Sequence, residues 1–321
     1  MPLRYTLRQL EYFVAVGETG SIAAASQQVN VSSPSISAGV TQLEHELGVK
    51  LFVRHHAHGL TPTAAGRKLL DRARLVLRQA GELRDMAGEL SGSIRGPLAV
   101  GCLSTFAQIV LPGLRQSFVQ QYSDVRITQI EADQSGLFSM QRQAKIDLAL
   151  TYDLDLPRDL TFLPILELPP LVALNEAHPL ADLPEISVEE LASHPMVLLD
   201  LPHSADYFLS FFNDIGLRAN IAERTRDMAV MRGLVANGFG YSIVNVRPLN
   251  DLAPDGKPLR FIPLKGPQRP MKLGVLIGTG HDSTELLKAF LEHAQNWIRG
   301  NAEVLLGVRP PGDRPSGKLS K

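Results

Sequence analysis

Between Ser32 and Gln42 the sequence SSPSISAGVTQ sets out small or uncharged polar residues at helical spacing, namely Ser32, Ser33, Pro34, Ser35, Ser37, Ala38, Thr41 and Gln42. Ser35, Ala38, Thr41 and Gln42 share one helix face. The other face carries the apolar stripe Ile36, Val40, Leu43 and Leu47, spaced i, i+4, i+7 and i+11. Hydroxyls, an amide and small methyl-bearing groups, with no charge among them, can approach base edges closely and exchange hydrogen bonds there.

Other residues suggest chemistry less strongly. His55, His56 and His58 fall in one short stretch, but no cysteine or carboxylate stands nearby to complete a zinc set, so no metal is expected. Protonation of these histidines near pH 6 would add positive charge and tighten binding to a polyanion. The single cysteine, Cys102, sits inside an apolar run and reads as core filling. Gly278-Thr279-Gly280 lacks the third glycine and the strand-to-helix setting of a dinucleotide site. With no G-x-S-x-G elbow, P-loop, H-E-x-x-H or C-x-x-C, neither an enzyme nor a cofactor is expected.

Short helices are needed to position the polar face. Ser21 is placed to cap a helix in which Ile22, Ala25 and Val29 recur at helical spacing. Asn30 and Val31 break the period. Ser32-Ser33-Pro34 then restarts it, with Pro34 expected at the first helical position and Gly48 as the left-handed stop. Two helices joined by a tight turn fit a helix-turn-helix whose second member enters the major groove. An ordinary helical hairpin fits the periodicity as well. Thr6 to Glu18 reads as an opening helix with Leu7, Leu10, Phe13 and Val14 at core spacing. The stretch Val53 to Thr61 has the length and glycine of a small hairpin. From Thr61-Pro62 to about Ser91 the chain predicts one long helix. Its Leu69, Ala73, Val76, Ala80, Leu83, Ala87 and Leu90 are spaced alternately four and three, the seam of a two-helix coiled coil.

The run Leu7-Arg8-Gln9-Leu10, Tyr12-Phe13, Ser21, Ala24-Ala25, Ser32-Ser33-Pro34-Ser35, Ser37, Leu43-Glu44, Leu47-Gly48, Leu51-Phe52, Arg54, Leu60-Thr61 and Gly66 resembles the LysR-type transcriptional regulators across the first 66 residues without a gap. Many of these positions are polar or glycine, which a generic core pattern would not reproduce. Ser33 stands where the family often has glutamine and Ala38 where it often has arginine, so this chain is expected to read its site with fewer long side chains. The resemblance implies a winged helix-turn-helix in which Arg54 contacts a phosphate and His56 lies in the wing. It also implies a dimerising linker helix along the seam.

Composition fits one soluble, cytoplasmic chain of more than one domain. It has 321 residues, 44% of them hydrophobic, and no window near 18 uninterrupted apolar residues. The net charge of −1 averages over the domains; residues 1–92 carry ten basic against eight acidic side chains, a weak footprint for a DNA binder. Affinity is therefore expected to rest on placed contacts and on oligomerisation.

Ser91 to Pro97 reads as a hinge. Beyond it, short apolar runs at Leu98–Leu103, Val125–Ile130, Asp147–Tyr152, Leu171–Leu174, Met196–Leu199, Tyr241–Val246 and Leu273–Ile277 alternate with helical stretches, which argues for parallel α/β units. Along the resemblance these become two lobes of the periplasmic-binding-protein type. The expected organisation is α/β: an N-terminal all-α winged helix-turn-helix (1–61), a linker helix and hinge (62–92), an effector domain (93–300) and a flexible tail (301–321). Lobe one would be 93–165 with 270–300, and lobe two 166–269. Ser104, Thr105, Thr151, Tyr152, Leu201, Pro202, His203, Met228 and Asn245 are the candidate effector residues at the cleft, and Arg247 a candidate partner for a carboxylate. The expected partners are double-stranded DNA with an A·T-rich inverted repeat near a promoter, a second copy as homodimer or tetramer, and a small organic effector. RNA polymerase is a further candidate, and no membrane is expected. A solute-binding or catalytic α/β module with an appended helical domain is the alternative.

Overall fold

The computed structural model describes residues 4–55, 59–89, 94–248, 250–278 and 284–306. Its contacts divide the chain into a first unit, which runs to Ile94 and takes in Ser139–Ile146, and a second that holds the remainder.

The first unit contains α1 (Leu7–Thr19), α2 (Ile22–Gln28), α3 (Ser33–Leu47), the strands β1 (Phe52–His55) and β2 (Gly59–Pro62), and α4 (Ala64–Glu89). Each early helix is bounded by side chains suited to the task. Thr6 and Gln9 form a reciprocal capping box at the start of α1, and Gly20 ends it in the left-handed region at φ 65°. Ser21 accepts from the Ala24 N–H to open α2, and Ser32 accepts from the Ser35 N–H to open α3. Pro34 is the second helical residue rather than the first, because Ser33 already has helical geometry. It still occupies a position whose N–H would have had no partner within the helix. The helices close over two adjoining cores, one of Leu10, Phe13, Leu43, Leu51, Leu70 and Ala73, the other of Tyr12, Ala15, Val16, Ala25 and Ile36. β1 and β2 pair antiparallel, and the Leu60 N–H donates to the Gly20 carbonyl at 2.8 Å, tying the hairpin to the end of α1.

The expected coiled-coil seam is divided. Ala73 is buried and Leu69 half-buried in the unit's own core, because the Leu69, Leu70, Ala73 and Leu77 side of α4 packs with Leu10 and Phe13 of α1. Ala80 is half-buried, whereas Val76 and Leu83 are 40% and 71% exposed. The Ala87 side chain and Leu90 lie outside the described residues.

The second unit comprises, in order, β3 (Gly96–Leu103), α5 (Ser104–Gln121), β4 (Val125–Ala132), α6 (Gln134–Arg142), β5 (Leu148–Tyr152), β6 (Leu160–Leu168), β7 (Leu171–Asn175), β8 (Ile186–Ser187), α7 (Val188–Leu191), β9 (Pro195–Leu199), α8 (Ser204–Asn213), β10 (Asn220–Thr225), α9 (Met228–Ala236), β11 (Ser242–Val244), β12 (Leu259–Lys265), β13 (Met271–Gly278), α10 (Glu285–Gly300) and α11 (Ala302–Leu306). Of α6, the residues from Ser139 belong with the first unit. One lobe is built on a sheet of order β4-β3-β5-β13-β6, the other on β11-β7-β12-β8 with the parallel pair β10-β9 bridged to it at Met196 and Tyr241. The chain crosses between the lobes twice, through Pro169-Pro170 from β6 to β7 and through residues 266–270 from β12 to β13.

The sheets are mixed rather than parallel. β3 runs parallel to β4 and β5, but β13 runs antiparallel to β5 and β6, as do β11 and β12 to β7. The crossing strands impose this by entering each lobe's sheet from the other lobe. Ser104 and Thr105 form the first turn of α5 rather than a loop, since the buried stripe Phe106, Val110, Leu114 and Phe118 extends that helix upstream across Pro112. The expected tail begins with a helix: Ala302 and Leu306 are each 1% exposed in α11 and anchor it; residues 307–321 are not among those described.

Candidate functional site

Two sites emerge, one in each unit. In the first, Ser32, Pro34, Ser35, Ala38, Thr41 and Gln42 are exposed and Ser33 and Ser37 half-buried, while Ile36 and Leu43 opposite are fully buried. The helix therefore presents an uncharged stripe of small and hydroxylic groups outward because its apolar stripe is spent on the core. The Ser32 and Ser35 hydroxyls lie 2.8 Å apart, and the Gln42 amide donates to Glu46 at 2.8 Å, one turn further on. Arg54 lies in β1, with its side chain outside the described residues, and His56 is outside them altogether.

Glu44, which the sequence pattern offered no reason to single out beyond the resemblance, fixes the hairpin to α3. Its carboxylate accepts from the backbone N–H of Leu51 at 2.8 Å and of Phe52 at 3.4 Å, and pairs with Lys50 at 2.7 Å. Burial pushes this carboxyl up, but Lys50 and the two N–H groups together outweigh it and hold it below the usual carboxylate value.

In the second unit a cavity of about 30 Å³ lies between the lobes. Thr105 of α5, Tyr152 of β5 and Met271 of β13 line it from one side; Leu199, Leu201, Ser204, Phe208, Met228 and residues 243–246 line it from the other. Five predicted residues thus converge, Thr105, Tyr152, Leu201, Met228 and Asn245, with Thr105, Tyr152 and Asn245 buried. Ser104, Thr151, Pro202 and His203 are not in the lining. Ser104 is exposed, and Thr151 is fully buried with its hydroxyl unpartnered. Arg247 is bound to Asp251 at 2.6 Å and stands outside the lining. Ser204 and the apolar Leu199, Phe208, Ile243, Val244, Val246 and Met271 were missed, since apolar residues in core positions give no sign in sequence that they border a cavity.

Asn245 sits just beyond β11, released from the strand ladder. Its Nδ2 donates to the Leu168 carbonyl at 2.7 Å and to the Tyr207 hydroxyl oxygen at 3.3 Å. The Tyr207 hydroxyl itself donates to the Arg269 carbonyl at 2.6 Å, and burial pushes its pKa up to about 12, so it keeps that proton at neutral pH. The Tyr152 hydroxyl, hydrogen-bonded to Thr105, is likewise pushed up by burial.

His203 acts as a clasp rather than a lining group. Its Nδ1 lies 2.8 Å from Asp155 and its Nε2 3.1 Å from the Ser135 hydroxyl, both on the opposite lobe, and its ring packs on Phe138. His203 at φ 66° and Asp155 at φ 42° are two of four non-glycine residues with positive φ among the described residues. Both partners of this contact carry backbone strain, which surrounding structure must hold in place.

Residues 7–67 match the bacterial regulatory helix-turn-helix protein of the lysR family, and residues 91–299 match the LysR substrate binding domain. The chain belongs to the LysR family. This LysR-type protein is a DNA-binding transcriptional regulator with a C-terminal effector-binding domain. It is 30% identical over 241 residues to the HTH-type transcriptional regulator CysB of Haemophilus influenzae, covering 74% of this chain and 75% of the relative. The crystal structure of HinK, a LysR family transcriptional regulator from Pseudomonas aeruginosa, is similar at 33% identity and a TM-score of 0.62, covering 92% of this chain and 99% of HinK. Full-length CbnR complexed with its target DNA shares the fold at 24% identity and a TM-score of 0.54, covering 91% and 99%. Among the described residues, no helix of this LysR-type regulator is long and apolar enough to cross a membrane.

Proposed function

We propose that this regulator grips an A·T-rich inverted repeat near a promoter as a dimer, paired into tetramers, and that a small organic effector in the interlobe cavity resets the arrangement. The exposed, uncharged stripe of α3 carries this reading. Ala38 and the methyl of Thr41 suit contact with thymine methyl groups, Gln42 can bond adenine bidentately once it leaves Glu46, and Ser35 can serve any base. Arg54 of β1 and His56, the next residue in sequence after β1, are assigned to the DNA backbone. Among the described residues of the seam, Val76 and Leu83 are exposed on α4 and are left for a second copy. RNA polymerase would be met at the promoter, and the working compartment is the cytoplasm.

An effector shifts such a system only by binding one arrangement more tightly than the other. The His203 clasp and the cavity lie on the same interlobe surface, so occupancy of the cavity bears directly on closure. A thiol sensor is a poor fit. One cysteine cannot form an intrachain disulfide, and Cys102 is fully buried with its thiol pushed up by that burial.

The test is a gel shift with purified dimeric protein and the DNA upstream of its own coding region. Retardation at low salt that weakens steeply with added salt is expected. No retardation would favour a solute-binding or catalytic module.

A further inference from the structure

The lining of the interlobe cavity restricts the chemistry of what it can hold. None of its twelve residues is charged. The charged groups that adjoin the lining in sequence are engaged elsewhere: Arg247 with Asp251 at 2.6 Å, Asp200 with Arg224 at 3.2 Å, Arg269 with Asp153 at 3.3 Å, and Asp227 with the N–H groups of Ala229 and Val230 at the start of α9. A carboxylate or ammonium entering this space would shed its hydration and find no counter-charge.

Among the lining side chains, one buried polar atom has no partner. Both hydrogens of the Asn245 amide are committed, one to the Leu168 carbonyl and one to the Tyr207 oxygen. Neither partner can donate back, because one is a carbonyl and the other has given its proton to the Arg269 carbonyl. The orientation of the amide is thereby fixed, and its Oδ1 is left buried without a partner in a side chain 5% exposed. A buried acceptor in this state favours a ligand that brings an N–H or O–H.

We propose that the cavity recognises an uncharged, compact compound with a small apolar body and an N–H or O–H group, seated on Asn245 Oδ1. This rests on reading the cavity as the effector site and names the class of ligand for it. The apolar body lies against Leu199, Phe208, Ile243 and Met271, and the donor faces Asn245.

Four probes of similar size separate the possibilities: propionamide, propionate, 2-butanone and propylammonium, titrated into the full-length protein and followed by ligand-observed NMR. Propionamide is expected to bind about tenfold more tightly than the other three, the factor left by one hydrogen bond made or unmade at a buried acceptor. Asn245→Leu is expected to bring propionamide down to the level of 2-butanone. Because Asn245 also braces Leu168 and Tyr207, Leu199→Phe provides a second route, filling the cavity and abolishing propionamide binding. Propionate or propylammonium binding as tightly as propionamide would overturn the proposed ligand class while leaving the cavity as the effector site. Unchanged propionamide binding in folded Asn245→Leu or Leu199→Phe would overturn the seating on Asn245. Binding by none of the four would remove both the ligand class and the effector-site reading.

Discussion

Glu44 shows how one carboxylate can hold a reading head together. It supplies the acceptor for two backbone N–H groups at the start of the hairpin and the counter-charge for Lys50. Because its carboxyl is held below its usual value of 4.5, it contributes stability that is fully present above that pH and lost as pH falls through the lower folded value. The melting temperature of the wild type is therefore expected to drop on acidification below 4.5 by more than that of Glu44→Gln. Equal acid sensitivity in the two proteins would contradict this. At neutral pH, Glu44→Ala leaves the Leu51 N–H in want of a partner, an expected loss of about 1–2 kcal/mol measurable by urea unfolding. Residue types made the α3 face legible from sequence, since polar and apolar positions alternate with helical period. They did not disclose Glu44's partners, which lie six to eight residues away around a turn, nor the unspent oxygen of Asn245, which depends on three other residues meeting it.

At the scale of elements, legibility followed local signals. The first three helices could be read because Ser21, Ser32 and Gly48 mark their ends and the apolar stripes repeat between them. β10 escaped because its sequence lacks an apolar run, and β12 and much of β6 because a proline, Pro263 or Pro164, stands inside the run and argues against a strand. β10 is an edge strand with mostly exposed residues, and β12 alternates buried residues with Arg260, Pro263 and Lys265. The His203 clasp was also beyond reach, since its partners are 48 and 68 residues away. Two substitutions separate its parts. His203→Ala removes the side-chain contacts but keeps the positive φ; His203→Gly removes the contacts and relieves the strain. The glycine variant is expected to be more stable than the alanine variant by about 1 kcal/mol. In both, hydrogen exchange around Ser135 and Ser204 is expected to accelerate, reporting easier parting of the lobes. Unaltered exchange would mean that the clasp does not govern closure.

For the whole molecule, the question is how a chain with a net charge of −1 binds a polyanion. Under the proposed function the answer is doubling. Each copy contributes few cations but a complete polar face, and joining two copies turns the second contact into an intramolecular event. The linker helix can serve this only with the part of its seam left uncovered, since Ala73 is occupied at home. Leu83→Glu is expected to convert dimers to monomers in sedimentation at micromolar protein while leaving the unfolding transition within about 0.5 kcal/mol, because Leu83 is 71% exposed in the single chain. A dimer that survives this change would place the partner surface elsewhere. The family was legible in the first 66 residues and the two-lobed plan followed from it. What occupies the cavity did not, because a few side chains on separate strands set it.

A hydroxyl-radical footprint of the full-length protein on the DNA upstream of its coding region tests the central claim most directly. Two protected half-sites separated by one or more whole helical turns, about 10 base pairs each, are predicted, with both lost together in Thr41→Glu. A single protected patch, or protection that Thr41→Glu leaves intact, would contradict the account.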